Sequence, residues 1–446
     1  MLERWRARLG LAVCCSSLGC ASAARSPKSA LDTGPIASFE VDGAPLCFVG
    51  ANNYYLTYKP KQMVDGVLEA ARAMGVKVVR LWGFIDRGSL DGSVPSVDGD
   101  GSKDGHYFQA WDPAQHHAVY NDGPSGLQGL DYALAKASSL QLKVVLVLTN
   151  NWREFGGMDQ YLAWYGMSAH QDFYTDLAVK QAYKDWVAHL VTHVNVLTQH
   201  AYRDDPTIFA WELGNEPRGA PGTPSSVLND WVAEMSGYLK ALDPQHLVAV
   251  GDEGFFEQPA TNAHWTYHAN NGVDHAALSA LPNIDYGTFH MYPDTWGTGF
   301  AWPERWIDDH LRLARELGKP TVLEEYGLKV TRDELGRVSD GLAARLASYQ
   351  AWNERVLTRG GNAAMFWLLA GKDESGGIYP DYDHFSVYGG DQTSDLLRGF
   401  AQRFANSAPA CLNAAPQAAP NPSPFVHVRN RQVTAFGWHA HASEEL

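Results

Sequence analysis

The sequence predicts a (β/α)8 barrel, an α/β fold in which eight parallel strands alternate with helices. Eight short apolar runs typical of buried strands alternate with amphipathic segments of helical periodicity. Polar side chains follow directly at the carboxyl end of seven of these eight runs. In such a barrel the loops after the strands converge at one end, so this pattern places a functional site there.

The strand-like runs read, in chain order, LCFVGANNYY, VKVVRLWGF, LKVVLVLTNN, TIFAWELGNEP, HLVAVGDEG, IDYGTFHMYP, KPTVLEEYG and NAAMFWLLAG. The clearest helical patterns between them are QMVDGVLEAARAMG, GLQGLDYALAKASSLQ, QAYKDWVAHLVTHVNVLT, VLNDWVAEMSGYLKALD, WIDDHLRLARELG and LAARLASYQAWNERVL. Regular alternation indicates a parallel sheet, and eight is the number of strands that closes it into a barrel. We therefore assign residues 37–405 to a single domain.

The two ends of the chain have different compositions. Residues 1–23 combine three arginines, an apolar run and a small-residue cleavage site, which predicts a secretory signal peptide too short to span a bilayer. Cys20 also fits a bacterial lipoprotein signal, although Ser17 stands where that pattern prefers Leu, so free export and a lipid anchor both remain open. Residues 24–36 are interpreted as a linker, and the Ala/Pro-rich residues 406–446 as a poorly ordered tail.

The composition and net charge of the chain narrow the range of possible binding partners. The net charge of −15 argues against nucleic acid and anionic membranes, and it is compatible with an uncharged polysaccharide. No segment after the leader is apolar enough to span a membrane, and we expect a monomer. Outside the leader only Cys47 and Cys411 remain, near the two ends of the barrel domain. The first and last elements of a barrel are neighbours, so these cysteines form either a disulfide or two separate thiols.

Two glutamates carry the predicted chemistry. Side-chain alternation along the strands places one polar set around a single pocket: Arg80, Glu216, His290, Tyr292, Glu325 and Trp367. Two facing carboxyl groups are the apparatus of glycoside hydrolysis, in which one is protonated and the other ionised. Arg80 and Tyr292 would hold Glu325 ionised as the nucleophile, which leaves Glu216 as acid and base. On charge alone, a structural ion pair with Arg80 is the alternative.

The motifs WELGNEPRG, LEEYG, VVRLWGF, GTFHMYPD and GANNYYL closely resemble the β-mannanase branch of glycoside hydrolase family 5, over residues 37–405. The resemblance implies retaining hydrolysis of internal β-1,4-mannosidic bonds in mannan, glucomannan or galactomannan, with Glu216 as acid/base and Glu325 as nucleophile. It also implies a cis peptide bond after Trp367. Supporting or sugar-contacting roles are implied for Arg80, Trp82, Trp152, Asn215, His290, Tyr292 and Trp367. A β-1,4-glucanase on the same barrel and a glycan-binding protein that has lost catalysis remain alternatives.

Several other signals do not point to a site. Alternation turns Glu324, the neighbour of Glu325, away from the pocket. DGDGSKDG lacks the glycine and closing glutamate of a calcium loop. His189 and His193 have a spacing that can bind zinc, but no Glu follows His189, and helix packing explains them better. We predict no metal and no cofactor. The group His264, His268 and His275 is a candidate lining of the cleft.

Overall fold

The computed structural model describes residues 36–99, 104–258, 264–268, 271–299, 301–333, 336–407 and 423–429. The predicted signal peptide, with Cys20, lies outside the described residues, as do residues 24–35 of the linker and much of the C-terminal tail. No helix within the described ranges is long and apolar enough to cross a bilayer.

Eight parallel strands form the central sheet. They are β1 (Phe48–Asn53), β2 (Val78–Trp82), β3 (Lys143–Val147), β4 (Ile208–Glu212), β5 (Leu247–Ala249), β6 (Gly287–Met291), β7 (Thr321–Tyr326) and β8 (Ala363–Phe366). Neighbours follow the chain order from β1 to β5 and from β6 to β8, and β8 pairs with β1. Between β5 and β6, the Asp285 amide donates to the Val248 carbonyl at 2.8 Å. This hydrogen bond spans the gap between β5 and β6, so the sheet is nearly closed, and the predicted barrel is confirmed.

Helices surround the barrel, in the order that the amphipathic patterns predict. They are α1 (Lys61–Met74), α2 (Leu127–Ser139), α3 (Gly157–Trp164), α4 (Asp172–Thr175), α5 (Leu177–Thr192), α6 (Ser225–Leu242), α7 (His275–Ala280), α8 (Trp302–Leu317), α9 (Leu342–Thr358) and α10 (Gln392–Ser407). The helix predicted to continue to residue 198 ends at Thr192. The side chain of Asn195 accepts hydrogen bonds from the Leu197 and Thr198 amides, a local turn that competes with helix.

A small antiparallel sheet closes the amino-terminal end of the barrel. It consists of Ser38–Val41 paired with Ala44–Leu46 on one side and His427–Arg429 on the other. Phe39 projects from it into the barrel, where its ring meets Phe209 edge-on at 5.1 Å between centroids. The prediction of a poorly ordered tail is therefore wrong for residues 423–429, because this segment supplies a strand and buries Val426. With this end filled by apolar side chains, only the opposite end can admit a ligand.

Short strands outside the barrel shape its other end. Asp86–Ser89, Gln109–Asp112 and His117–Tyr120 form a three-stranded sheet in the long segment after β2. Thr331–Arg332 pairs with Val338–Asp340, and Leu369–Ala370 pairs with Val387–Tyr388.

Cys47, which directly precedes β1, is disulfide-bonded. Its partner lies outside the described residues, as do all the other cysteines. Pairing of Cys47 with Cys411 stays a prediction.

Candidate active site

A cavity of about 1180 Å³ opens at the carboxyl ends of the strands. Seven of the nine residues predicted for the site line it, namely Trp82, Trp152, Asn215, Glu216, Tyr292, Glu325 and Trp367. The remaining two, Arg80 and His290, are fully buried beneath its floor. The structure brings all nine together, but Arg80 and His290 do not line the cavity themselves. They touch the two carboxyl groups instead.

Arg80 lies at the centre of the floor, and its guanidinium bonds four side chains that come from three strands or the turns after them. Nη1 donates to Glu325 Oε1 at 2.5 Å and to Asn52 Oδ1 at 3.2 Å, and Nη2 donates to Asn215 Oδ1 at 2.8 Å. The edge formed by Nε and Nη2 faces Glu212, with Nε donating to Oε2 at 2.9 Å. Glu212 is therefore the bidentate structural partner of Arg80, which explains a carboxylate in an otherwise apolar strand.

Glu216 lies in the turn after β4, and its backbone has φ of 53°, which is uncommon for a residue with a side chain. Strand β4 ends at Glu212, so regular alternation does not set the direction of Glu216. Its carboxylate is held on both oxygens: His290 Nδ1 lies 2.7 Å from Oε1, and Trp152 Nε1 donates to Oε2 at 2.5 Å. Asn215 also faces the site and donates to Asn150 Oδ1 at 3.0 Å.

Glu325 lies across the cavity from Glu216. Tyr292 donates its hydroxyl to Glu325 Oε2 at 2.6 Å, while Arg80 holds Oε1. Carboxylate oxygens of Glu216 and Glu325 and a nitrogen of His290 all lie within 4.8 Å of one another. Retaining glycosidases have carboxyl groups about 5–5.5 Å apart, whereas inverting ones need about 6.5–9.5 Å. The observed closeness fits retention.

Glu324 stays out of the cavity, as predicted, but its side chain points into the barrel and not to the opposite face of the sheet. Phe289 of β6 pairs with Leu323, and the next residue, His290, pairs with Glu325, so Glu324 forms a bulge in β7. Because the bulge resets the alternation, both glutamates point inward. Glu324 lies below the cavity, 3.7 Å from Arg80 Nε and 3.6 Å from His290 Nε2, and does not line the cavity.

Comparison with known proteins identifies the family. The family model described as GH family 5 beta-mannosidase-like matches residues 39–371. The chain belongs to glycoside hydrolase family 5. The mannan endo-1,4-beta-mannosidase F of Aspergillus clavatus is 36% identical over 355 residues, which cover 79% of this chain and 73% of that protein.

Solved structures of family-5 enzymes agree with this assignment. The endo-beta-1,4-mannanase from Thermotoga petrophila is 40% identical with a TM-score of 0.68, covering 80% of this chain and 77% of that one. The endo-1,4-beta-mannanase from Rhizomucor miehei is 33% identical with a TM-score of 0.73, covering 84% of this chain and 99% of that one.

The pKa shifts of the two glutamates in this family-5 hydrolase run opposite to the predicted assignment, in which Glu325 is the ionised group and Glu216 the acid. Burial raises the pKa of Glu325, and the charges of His290 and Arg80 lower it but only partly offset burial, while the charge of Glu216 adds to the rise. Burial acts on Glu216 in the same direction, but the hydrogen bond and charge of His290 outweigh it and lower its pKa to about 2. Despite its burial, the pKa of His290 is raised well above its ordinary value, chiefly by the charge of Glu325 and the hydrogen bond to Glu216. Both shifts favour the pair of Glu216 carboxylate and His290 imidazolium.

Sequence reasoning missed several residues of this hydrolase's cavity. Arg218 and Glu253 form a bidentate ion pair beside Glu216, with Nη2 donating to Oε1 at 2.6 Å. The signal for Glu253 was its position just after β5, the one strand for which no polar residue was singled out. Asp383 also lines the cavity and accepts from Trp367 Nε1 at 2.7 Å. The predicted cis peptide bond between Trp367 and Leu368 is confirmed.

The histidines proposed as cleft lining do not fill that role. Within the described residues, His264, His268 and His275 are absent from the cavity wall. His275 is buried and bonds Asp252 at 2.8 Å through Nδ1. In the segment DGDGSKDG, residues 100–103 lie outside the described residues, whereas Asp98 and Asp104 line the cavity.

Proposed function

We propose that this chain is an endo-β-1,4-mannanase that cleaves internal bonds of mannan-type polysaccharides with retention. The proposal rests on one observation: a carboxylate oxygen of Glu216 and one of Glu325 lie within 4.8 Å of each other in the same open cavity. Its volume of about 1180 Å³ exceeds the range of about 300–1,000 Å³ usual for small-molecule sites, so a segment of a longer glycan can enter. The relatives named above act on mannan.

In the first step Glu325 attacks the anomeric carbon of the bound sugar. The bond between this carbon and the glycosidic oxygen breaks as the Glu325 ester forms, and Glu216 gives its proton to the leaving oxygen. In the second step Glu216 takes a proton from water, the water oxygen bonds to the anomeric carbon, and Glu325 leaves as a carboxylate. One water is consumed, and two inversions amount to retention.

His290 supplies the proton that the first step needs. The imidazole Nδ1 lies 2.7 Å from Glu216 Oε1, within hydrogen-bond reach. In the first step the imidazolium passes its proton to Glu216, and Glu216 passes a proton to the leaving oxygen, so that Glu216 remains a carboxylate. In the second step Glu216 takes a proton from water, and its return to His290 restores the imidazolium. His290 is thus a positioning residue that holds a proton and does not itself touch the sugar.

The aromatic walls are suited to hold a sugar ring at the cleavage point. Trp367 and Trp82 lie 5.8 Å apart between ring centroids, and the Trp367 indole is oriented by Asp383. Indole faces pack against the apolar face of a pyranose. Asn215, fixed by Arg80 and Asn150, is placed to bond a sugar hydroxyl.

Product analysis tests the proposal. Purified protein is offered galactomannan, glucomannan and carboxymethyl cellulose, and soluble oligosaccharides are measured over time. We expect short manno-oligosaccharides from mannans and none from cellulose, and none from any substrate with Glu325→Gln. Release from the cellulose derivative alone identifies a glucanase, and binding without turnover identifies a glycan-binding protein. Either result overturns the proposal.

We also propose that the protein is exported and monomeric, on the strength of the N-terminal sequence and the single barrel domain. N-terminal sequencing of mature protein is expected to begin at residue 24, after Ala23, if the chain is freely secreted. Acylation at Cys20 would instead show a lipid anchor, which the family relationship does not support. Light scattering is expected to give the mass of one chain, and a dimer mass contradicts the monomer.

A further inference from the structure

A second cluster of ionisable side chains lies outside the catalytic cavity. His189, in the last turn of α5, points its Nε2 at Asp122 Oδ1, 2.8 Å away. His193, just past the end of this helix, places its Nδ1 3.8 Å from the same oxygen. One ligand atom from each of the three residues lies within 4.8 Å of the other two. Sequence spacing suggested only the two histidines, because Asp122 is 67 residues from His189 in the chain.

His193 is oriented by a buried carboxylate behind it. Its Nε2 lies 3.1 Å from Asp131 Oδ1, and Asp131 is fully buried on α2. A carboxylate can only accept from the imidazole, so Nε2 carries the hydrogen, and the other ring nitrogen, Nδ1, faces Asp122 and is the atom available to a metal ion. The same Asp131 oxygen accepts from the Tyr202 hydroxyl at 2.8 Å, which fixes the carboxylate. A histidine backed by a carboxylate is the usual outer arrangement of a protein metal site.

His189 is held by stacking. Its ring lies over Tyr120 with centroids 4.2 Å apart and an interplanar angle of 26°. Trp186, one turn earlier on α5, stacks on the same ring at 6.0 Å. Because two aromatic rings pack against His189 while its Nε2 bonds Asp122, little rotamer freedom remains to be lost on binding.

The spacing of the three atoms fits a small tetrahedral ion. Zinc bonds of about 2.0 Å to nitrogen and oxygen separate neighbouring ligand atoms by about 3.3 Å in a tetrahedron. The distances from Asp122 Oδ1 to His189 Nε2 and to His193 Nδ1 are 2.8 and 3.8 Å, on either side of this value, so each has to change by only about half an ångström. Two imidazoles and one carboxylate favour zinc over calcium or magnesium, which take oxygen ligands.

We propose that Asp122, His189 and His193 bind one Zn²⁺, with water as the fourth ligand. Asp122 is half exposed, which leaves a route for the ion, and none of the three residues lines the catalytic cavity. The ion would tie the segment before α2 to the end of α5, and so stabilise the folded chain without entering the reaction.

Zinc titration of tag-free, full-length protein after EDTA treatment and dialysis tests this site. Isothermal titration calorimetry gives stoichiometry and affinity, and Co²⁺ substitution reports tetrahedral coordination by its visible absorption. We expect one zinc that is lost, or bound at least about 10-fold more weakly, in His189→Asn and in Asp122→Asn. Saturating zinc should raise the thermal midpoint of the wild type by a few degrees and leave that of both variants unchanged.

Two controls exclude other sources of zinc binding. Glu325→Gln removes the cluster of Glu216, His290 and Glu325, which also groups possible ligands. The double variant His439→Asn/His441→Asn removes the histidines near the C-terminus. Both control proteins should keep the zinc that His189→Asn removes. A wild type that binds no zinc, or affinity unchanged in either Asp122→Asn or His189→Asn, overturns the proposal.

Discussion

Tyr292→Phe should shift the acid limb of the pH profile toward higher pH. The hydroxyl donates one hydrogen bond to Glu325 Oε2 at 2.6 Å, and the ring packs against Phe385 at 5.1 Å between centroids. Phenylalanine keeps this packing and removes only the donor. A hydrogen bond to a charged group contributes about 1.5–3 kcal/mol, and one pKa unit corresponds to about 1.36 kcal/mol. Loss of the bond should therefore raise the pKa of Glu325, already raised by burial, by about a further 1–2 units.

The assay is kcat/KM on a soluble manno-oligosaccharide between acid and neutral pH. Glu325 must be ionised to attack, so activity falls as pH drops through its pKa, and the acid limb should move up by about 1–2 pH units. Tyr382→Phe is the matched control, because Tyr382 also lines the cavity but is largely exposed. An acid limb that stays in place in Tyr292→Phe, or moves equally in Tyr382→Phe, refutes the reasoning.

Three further predictions concern the groups around the carboxylates. His290→Asn should move the basic limb of the kcat/KM profile to lower pH. The catalytic proton is then held by Glu216 alone and no longer by an imidazole whose pKa is well above its ordinary value. A basic limb that does not move contradicts the proton-holding role of His290. Arg80→Met leaves buried carboxylates without their cation, so it should lower the free energy of unfolding by about 3–5 kcal/mol in denaturant titrations. The control Arg398→Met breaks an exposed pair and should cost less than about 1 kcal/mol. Equal losses in the two variants would contradict the structural role of Arg80. Cys47→Ser should cost about 2–4 kcal/mol, and non-reducing peptide mapping should find Cys47 joined to Cys411; another partner would refute that pairing.

The sequence predicted the barrel and the membership of the site well, because both depend on local pattern. Strand and helix periodicities are visible in short windows. Polar residues at strand ends converge in any closed parallel barrel, so Glu216, Tyr292 and Glu325 could be placed together before their contacts were known.

What could not be predicted depends on contacts between distant segments. The bulge at Glu324 arises from its register with β6, and no feature of LEEYG alone reveals it. Arg80 was expected to bind Glu325 alone, but Glu212 occupies its bidentate edge, and the charge of Arg80 does not fully offset the effect of burial on the pKa of Glu325. The strand His427–Arg429 follows an Ala/Pro-rich stretch and is stabilised by pairing with Ser38–Val41, so local composition gave no sign of it.

Trapping the covalent glycosyl-enzyme is the most direct test of the claim that Glu325 is the nucleophile and Glu216 the acid/base. A 2-deoxy-2-fluoro-β-mannosyl fluoride slows both steps and the second step most, so the covalent intermediate accumulates and can be located by peptide mass spectrometry. The account predicts one sugar per chain, bound as an ester to Glu325, and none in Glu325→Gln. An adduct on Glu324, or the absence of any adduct while the analogue inactivates the enzyme, would contradict it.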